Sequence, residues 1–387
     1  MMSTASETSR PPSWPSPTAA YIHIPFCRHR CGYCNFSVLA GRDDLADRFL
    51  EALRWELSRL EQPQTVDTLF IGGGTPTHLP PAWLERLLQL LADWLPLADD
   101  GEFSVEANPG DIDRPRLERL RAAGVNRISL GVQSFAADKL RILQRDHDEA
   151  QARTAVEQAA EALGNVSIDL IFAAPEETLE GWQRDLAIAA ELPITHLSTY
   201  ALTFEKGTEF WTRRARGGLR QADEDLELQM YQYARQAGAA AGLAQYEISN
   251  FARPGRQCRH NLGYWRGRPW YGFGPGATGF LAGQRRTNHR SPTTYIRRCL
   301  DGSDPAQECE TITVEHWAYE RAAFGVRMIE GVDLEAIRLD TEVDLRKTRS
   351  QEIADCRRWG LVRLEGEHLQ LTEKGIAVAD TVSAALL

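Results

Sequence analysis

Three cysteines within residues 21–36, the segment YIHIPFCRHRCGYCNF, carry the clearest chemical signal in the chain. Cys27, Cys31 and Cys34 have the spacing C-x3-C-x2-C and follow an apolar run typical of a strand. Each iron of a 4Fe-4S cluster normally takes one thiolate, so three thiolates leave one iron open. The amino and carboxylate groups of S-adenosylmethionine can bind that open iron. A zinc site usually has four ligands in paired C-x2-C spacing, and no second pair follows.

Alternating strand-like and helix-like segments between residues 19 and 245 must position these cysteines. In the helix-like segments apolar residues recur every three or four positions, as within residues 84–95. Six β/α units in a row predict an α/β fold, a partial (β/α)6 version of the eight-stranded barrel with the helices outside. The candidate strands cover residues 20–26, 66–72, 102–107, 127–133, 166–172 and 196–204.

Polar groups should gather at the C-terminal ends of these strands, where barrel enzymes carry their chemistry. The sequence meets this expectation at every strand end. The groups are Gly73-Gly74-Thr75 at the end of strand two, Glu106 and Gln133 at the ends of strands three and four, Asp169 on strand five and Tyr200-Ala201 on strand six. Other readings stay open, because a glycine-rich turn can be an ordinary connection and a buried carboxylate can have a structural partner.

The segment from Tyr21 to Cys34 resembles the opening of the oxygen-independent coproporphyrinogen III oxidase family of radical SAM proteins, and the resemblance continues to the C-terminus. Arg145 lies in LQRDHDEA, which is similar to the family's Gly-Arg-x-His segment with Gln144 in place of glycine. Its guanidinium suits a ligand carboxylate. The resemblance implies that S-adenosylmethionine contacts Tyr21, Tyr33, Gly73, Gly74, Thr75, Glu106, Gln133, Arg145, Asp169 and Ala201.

Two departures from the family pattern bear on function. Phe36 stands where the oxidases carry a further cysteine. A phenylalanine there resembles a heme-chaperone branch of the family that lacks the oxidase activity. The turn at 173–178 reads AAPEET where the family has a GLPGQT-like sequence. Losing both glycines restricts the backbone angles of that turn.

The segment CRHNLGYW, residues 258–265, is the candidate heme site. His260 could supply an axial imidazole, and Tyr264 and Trp265 could stack on a porphyrin face. Cys258 is an alternative thiolate ligand. A buried histidine among core aromatics is the other reading of the same residues. The resemblance to the family's heme-associated motif favours heme.

Residues 310–387 have the pattern of a winged helix, with helices followed by a short hairpin. Within 351–387 there are four Lys or Arg residues and six Asp or Glu residues. A nucleic-acid reader should be basic there, so we expect a structural or docking role and no nucleic-acid partner. The expected domains are a disordered tail at 1–18, the barrel at 19–245 and a C-terminal domain at 246–387.

The composition fits a globular protein, with 43% apolar residues and a net charge of −10. Seven cysteines without a disulfide framework favour a reducing cytoplasm, and no apolar stretch reaches membrane-spanning length. Peripheral membrane association through a partner and homodimer formation both stay open.

The resemblance implies a heme chaperone that binds a 4Fe-4S cluster, S-adenosylmethionine and heme. Such a protein would deliver heme to apo-hemoproteins such as respiratory-chain components, and an electron donor would reduce its cluster. The main alternative is an enzyme, either a coproporphyrinogen III oxidase or a radical SAM tetrapyrrole methyltransferase. A winged-helix regulator that senses the state of the cluster is a third reading, disfavoured by the acidic charge.

Overall fold

One twelve-stranded sheet dominates the computed structural model, which describes residues 14–387. A three-stranded sheet and a two-stranded sheet lie beside it. The strands are β1 Ala19–Ile24, β2 Phe26–Cys27, β3 Leu39–Ala40, β4 Val66–Gly73, β5 Leu97–Ala107, β6 Arg127–Gln133, β7 Val166–Phe172, β8 His196–Ala201, β9 Ala244–Glu247, β10 Asn250–Ala252, β11 Trp270–Phe273, β12 Thr278–Leu281, β13 Gln284–Asn288, β14 Ala306–Thr311, β15 Val332–Asp333, β16 Val362–Glu365 and β17 His368–Leu371.

Sixteen α-helices connect the strands within residues 14–387. They are α1 Ala46–Ser58, α2 Pro81–Trp94, α3 Arg114–Ala122, α4 Ala137–Ile142, α5 Glu149–Leu163, α6 Leu179–Glu191, α7 Glu209–Ala215, α8 Glu224–Ala240, α9 Arg259–Trp265, α10 Pro292–Leu300, α11 Val314–Gly325, α12 Leu334–Thr341, α13 Leu345–Thr348, α14 Ser350–Arg358, α15 Glu373–Ile376 and α16 Ala379–Leu386. None of these helices is long and apolar enough to cross a membrane.

The six strands predicted from the sequence are adjacent and parallel, in the order β1-β4-β5-β6-β7-β8. Their outer faces are apolar and pack against the helices. The apolar stripe of α2, with Leu84, Leu87, Leu88 and Leu91, is buried in this core. The predicted α/β fold with a parallel sheet and outer helices is confirmed. Because the strands are parallel, their C-terminal ends meet at one edge of the sheet.

The large sheet does not stop at residue 245. β11 pairs in parallel with β1, and β12, β13 and β14 follow as antiparallel neighbours. At the other edge β10 pairs antiparallel with β8. Residues 244–252 form the two antiparallel strands β9 and β10, whose pairing has a register shift between Asn250 and Phe251.

The C-terminal region has its own apolar core. Helices α11–α14 and α16 surround the small sheet β15-β17-β16, with Leu369 fully buried between them. This helix-plus-hairpin order is the pattern that the sequence predicted for residues 310–387. Residues 1–13 of the predicted tail lie outside the described residues. Trp14 packs against Phe280 and Trp317, with ring centroids 5.6 and 4.8 Å away, where the sequence predicted disorder.

Candidate functional site

The cysteine loop follows β1 at the edge where the parallel strands end. Cys27 is the second residue of β2, and the amide of Cys34 donates to the carbonyl of Cys31 in a turn. The thiol of Cys27 lies 3.6 Å from Oγ1 of Thr75, which follows the end of β4. The thiol of Cys31 lies 3.6 Å from Nε2 of His29. The loop therefore places all three thiols at the mouth of the barrel.

The three thiols lie where their ionised form needs a neighbouring positive charge, which a bound cluster would supply. All three are free, and burial raises the pKa of Cys27 to about 12, with the neighbouring Cys34 and Cys31 adding to the shift. Burial also raises the pKa of Cys34. Bound iron would supply the positive charge that lets neighbouring sulfurs ionise together.

No three His, Cys, Asp or Glu side chains within residues 14–387 surround a single metal position. A 4Fe-4S cluster needs no such point, because each thiolate binds a different iron.

The glycine-rich turn after β4 lies against the cysteine loop. Its backbone amides are used internally: Gly73 donates to Oε2 of Glu106 at 3.0 Å, and Gly74 and Thr75 donate to carbonyls of the β1–β2 segment. A Cβ on Gly74 would come within 2.6 Å of the Phe26 carbonyl oxygen, so only glycine fits there. Carbonyl oxygens are therefore the backbone groups that this turn can offer to a ligand ammonium.

Arg145 is held over the same mouth by three contacts. Its guanidinium donates to Oδ1 of Asn108 and, at 2.8 Å, to the carbonyl of Gly131, and Nη1 lies 3.5 Å from the thiol of Cys31. Nε of Arg145 is buried without a hydrogen-bond partner. A buried donor without a partner is costly, and a ligand carboxylate is the acceptor that would satisfy it.

Two carboxyl groups line the interior of the barrel below this mouth. Glu106 is half-buried, and desolvation followed by the charge of Asp169 raises its pKa to about 7. Asp169 accepts a hydrogen bond from Ser129 at 3.1 Å, and burial raises its pKa as well. Tyr21, Glu106 and Asp169 border one cavity of about 250 Å³. Acceptors of this kind suit ribose hydroxyls or an ammonium group.

The remaining predicted S-adenosylmethionine contacts lie around the same edge. Tyr33 packs edge-on against Phe210, with ring centroids 6.0 Å apart. Gln133 ends β6 with a φ of 66°, and Ala201 ends β8. The structure thus brings the predicted cluster and S-adenosylmethionine residues together at one end of the barrel.

The turn after β7 keeps a conformation that favours glycine although it has lost both glycines. Ala173 and Glu176 have φ values of 58° and 65°, and Gln144, at the third family glycine, has 55°. Hydrogen bonds hold the turn: Glu177 accepts from the Ala174 amide at 2.9 Å and from Lys139 at 2.5 Å. The loop geometry is therefore retained by strained residues, at a cost of roughly 1 to 2 kcal/mol each.

The predicted heme residues lie at the opposite end of the barrel. Helix α9 caps the N-terminal ends of the strands, where Glu102 on β5 accepts from the amides of Arg259 and His260 at 3.0 and 3.2 Å. The side chain of His260 is 1% exposed. Its Nδ1 pairs with Oγ1 of Thr68 at 2.9 Å and its Nε2 with the hydroxyl of Tyr264 at 2.8 Å.

His260 is therefore a buried histidine in this structure, an arrangement that disfavours a heme ligand, and its role toward heme stays a prediction. Both ring nitrogens have partners, and burial lowers the pKa of His260 to about 3. Trp265 does not border the cavity of about 250 Å³ that His260 and Tyr264 line. Arg327 from the C-terminal region lies over its ring instead. Cys258 is fully buried with its thiol 3.6 Å from Oε1 of Glu102.

Several cavity residues escaped the sequence reasoning, which looked only at strand ends. Alternate positions along four strands point into the barrel and are polar, for example Arg127 and Ser129 on β6 and Ser198 on β8. Closed barrels usually fill these positions with branched apolar residues. The alternation in RISLGVQ, VSIDLIF and HLSTYA was the signal that could have found them.

Comparisons with known proteins agree with this architecture. Residues 21–188 match the Radical SAM superfamily and residues 312–378 match the HemN C-terminal domain. The fold is similar to that of coproporphyrinogen III oxidase (HemN) from Escherichia coli, a radical SAM enzyme, with a TM-score of 0.84. That likeness covers 96% of this chain and 90% of the HemN chain at 24% identity. Fold and cysteine loop together define a radical SAM protein of the HemN type.

The sequence relatives are more specific. The chain is 38% identical to the heme chaperone HemW of Mycobacterium tuberculosis over 96% of its length and 95% of the relative's. It is 35% identical to the heme chaperone HemW of Bacillus subtilis, covering 95% of this chain and 99% of that one. A mitochondrial radical S-adenosyl methionine domain-containing protein 1 from Danio rerio is 32% identical over 97% of this chain and 88% of its own. The chain belongs to the HemW family.

Proposed function

We propose that this chain is a heme chaperone that holds a 4Fe-4S cluster and S-adenosylmethionine at the barrel mouth and delivers heme to apo-hemoproteins. Respiratory-chain components are the expected recipients, and a separate electron donor would reduce the cluster. The heme part of the proposal is supported by the HemW relatives, which are named heme chaperones and are similar over nearly the whole chain. All seven cysteines are free within residues 14–387, which favours the reducing cytoplasm.

The observation that carries the proposal is the environment of Phe36. This residue stands beside the cysteine loop, where the oxidases are expected to carry a further cysteine, and its side chain is 62% exposed. A phenyl ring has no thiol hydrogen or proton to give, so the position cannot take part in redox or acid–base chemistry. An exposed ring at the barrel mouth does offer apolar contact area, which a bound porphyrin face could cover.

The cofactors have defined places in this proposal. Cys27, Cys31 and Cys34 would hold the cluster, and Arg145 would bind the carboxylate of S-adenosylmethionine through its unpartnered Nε. Glu106 and Asp169 would accept hydrogen bonds from the ligand's hydroxyl groups. When bound and reduced, the cluster would supply an electron to S-adenosylmethionine. The contacts of Arg145 with Asn108 and Gly131 fix its guanidinium before a ligand arrives.

Two anaerobic assays on the cluster-reconstituted chain test the proposal. The first is a heme titration followed by the Soret absorption, which should saturate. The second is incubation with coproporphyrinogen III, S-adenosylmethionine and a reductant, which should yield no protoporphyrinogen. A Phe36→Cys variant is the matched comparison for the second assay. Formation of protoporphyrinogen by the unmutated chain would show that the chain is an oxidase and refute the proposal.

A cysteine variant tests the proposed ligands of the cluster. Cys27→Ser should lose cluster absorption and S-adenosylmethionine binding, because an iron then lacks its thiolate. Cys309→Ser is the control, since Cys309 is exposed on β14, outside the cysteine loop. Retention of a full cluster by Cys27→Ser would contradict the assigned ligand set.

A further inference from the structure

The lower half of the barrel contains a buried cation that the proposed function does not use. Arg127 opens β6 and is 2% exposed. Its Nε has no hydrogen-bond partner, and within residues 14–387 no carboxylate oxygen lies within 4 Å of its guanidinium. Burying a guanidinium without a paired anion is costly. Arg127 borders the same cavity of about 250 Å³ that Glu106 and Asp169 line from above.

The acids nearest to Arg127 are already engaged elsewhere. Glu102 accepts from the amides at the start of α9 and from the thiol of Cys258. Asp169 accepts from the hydroxyls of Ser129 and Ser198. These carboxylates stabilise the charge of Arg127 through space, but neither forms a direct ion pair with it. The direct partner position at the guanidinium is therefore left to a molecule in the cavity.

We propose that this lower cavity is a binding site for a small monocarboxylate, or for the carboxylate arm of a larger ligand, with the carboxylate paired to Arg127. A planar guanidinium matches the two oxygens of a carboxylate. Ser129, Ser198 and Asn261 border the same space and add hydrogen-bonding groups. Asp169 and Glu106 on the same walls repel a doubly charged phosphate more strongly than a single carboxylate. The site shares the walls formed by Glu106 and Asp169 with the proposed S-adenosylmethionine site, but Arg127 itself has no role in the heme and cluster proposals.

The test uses the full chain, reconstituted with its cluster and free of S-adenosylmethionine, with propionate as the probe. Thermal unfolding is followed against propionate at constant ionic strength, and propionamide is the neutral probe of equal shape. We expect a saturable rise in Tm of about 2 °C at ten times the dissociation constant with propionate. Propionamide should give no rise. Equal responses to the two probes would overturn the proposal.

Two variants assign the effect to Arg127. Arg127→Met should abolish the rise in Tm, since it removes the charge and keeps most of the volume. Arg54→Met, at an exposed position on α1, should retain it. An unchanged rise in Arg127→Met would show that propionate binds at the surface.

Saturation-transfer NMR on the unmutated chain provides a readout that does not depend on folding of the variant. Irradiated aromatic protons should saturate the propionate methyl group, because Phe70, His260 and Tyr264 line the cavity, and absence of transfer would refute the site.

Discussion

Replacing Glu176 by glycine should make the chain more stable, although the change removes a whole side chain. Glu176 has a φ of 65° and is exposed, and no hydrogen bond of its side chain is found among the described residues. A left-handed conformation costs a non-glycine residue roughly 1 to 2 kcal/mol. Glycine loses about 0.5 to 1 kcal/mol more than alanine through chain entropy. The balance favours Glu176→Gly by about 0.7 kcal/mol.

For the neighbouring Ala173 the same argument gives almost no net change. Its φ is 58°, but its methyl group is 1% exposed. Removing a buried methyl group costs about 0.8 kcal/mol, which offsets the relief of backbone strain. Ala173→Gly should therefore leave the free energy of unfolding nearly unchanged. The contrast between the two variants tests the strain argument more sharply than either alone.

Urea unfolding of the cluster-free chain measures both effects through the transition midpoint at constant m value. Glu342→Gly is a positive comparison, because Glu342 is exposed with a φ of 60° at the end of α12. Glu157→Gly, in the interior of α5, is the negative control and should cost about 1 kcal/mol. If Glu176→Gly lost as much stability as Glu157→Gly, the turn would not hold a left-handed residue at 176.

Three further predictions address the site and its supports. Arg145→Lys should weaken S-adenosylmethionine binding by calorimetry about 10- to 100-fold, because the planar fork is lost; unchanged affinity would remove Arg145 from the site. His260→Ala should lose about 3 kcal/mol of stability in urea unfolding through two buried hydrogen bonds and packing, yet keep its heme affinity; a lost Soret band in folded protein would show that His260 is a ligand. Burial raises the pKa of Glu56 to about 7, so its contribution to stability is full below pH 4.5 and is lost as pH rises through 7. Stability of the unmutated chain relative to Glu56→Gln should fall by up to about 3 kcal/mol between pH 4.5 and pH 8, and a constant difference would contradict the shifted pKa.

The sequence predicted the parallel sheet and the barrel-mouth residues because both leave local signals. Apolar spacing marks the strands and outer helices, and a parallel sheet brings its strand ends together whatever the loop details. Hence Cys27, Thr75, Glu106 and Arg145, far apart in the chain, were correctly expected at one edge. The alternation of polar residues inside the barrel was equally local and was overlooked.

The role of α9 could not be predicted from local patterns. HNLGYW has aromatic and polar groups that suit either a ligand or a buried cap. The choice depends on Glu102 and Thr68, which precede His260 by more than 150 residues. Likewise, the retained left-handed turn at Ala173 depends on the buried pair of Glu177 with Lys139. Long-range partners of this kind become visible only when the chain is folded.

Heme transfer kinetics test the central claim most directly. The cluster-reconstituted chain is loaded with heme and mixed anaerobically with increasing concentrations of an apo-cytochrome b, while the Soret band of the acceptor is followed. A chaperone that hands heme over in a complex should give a transfer rate that rises with acceptor concentration. A rate that stays constant, equal to spontaneous heme release, would contradict the account, and so would a chain that binds no heme.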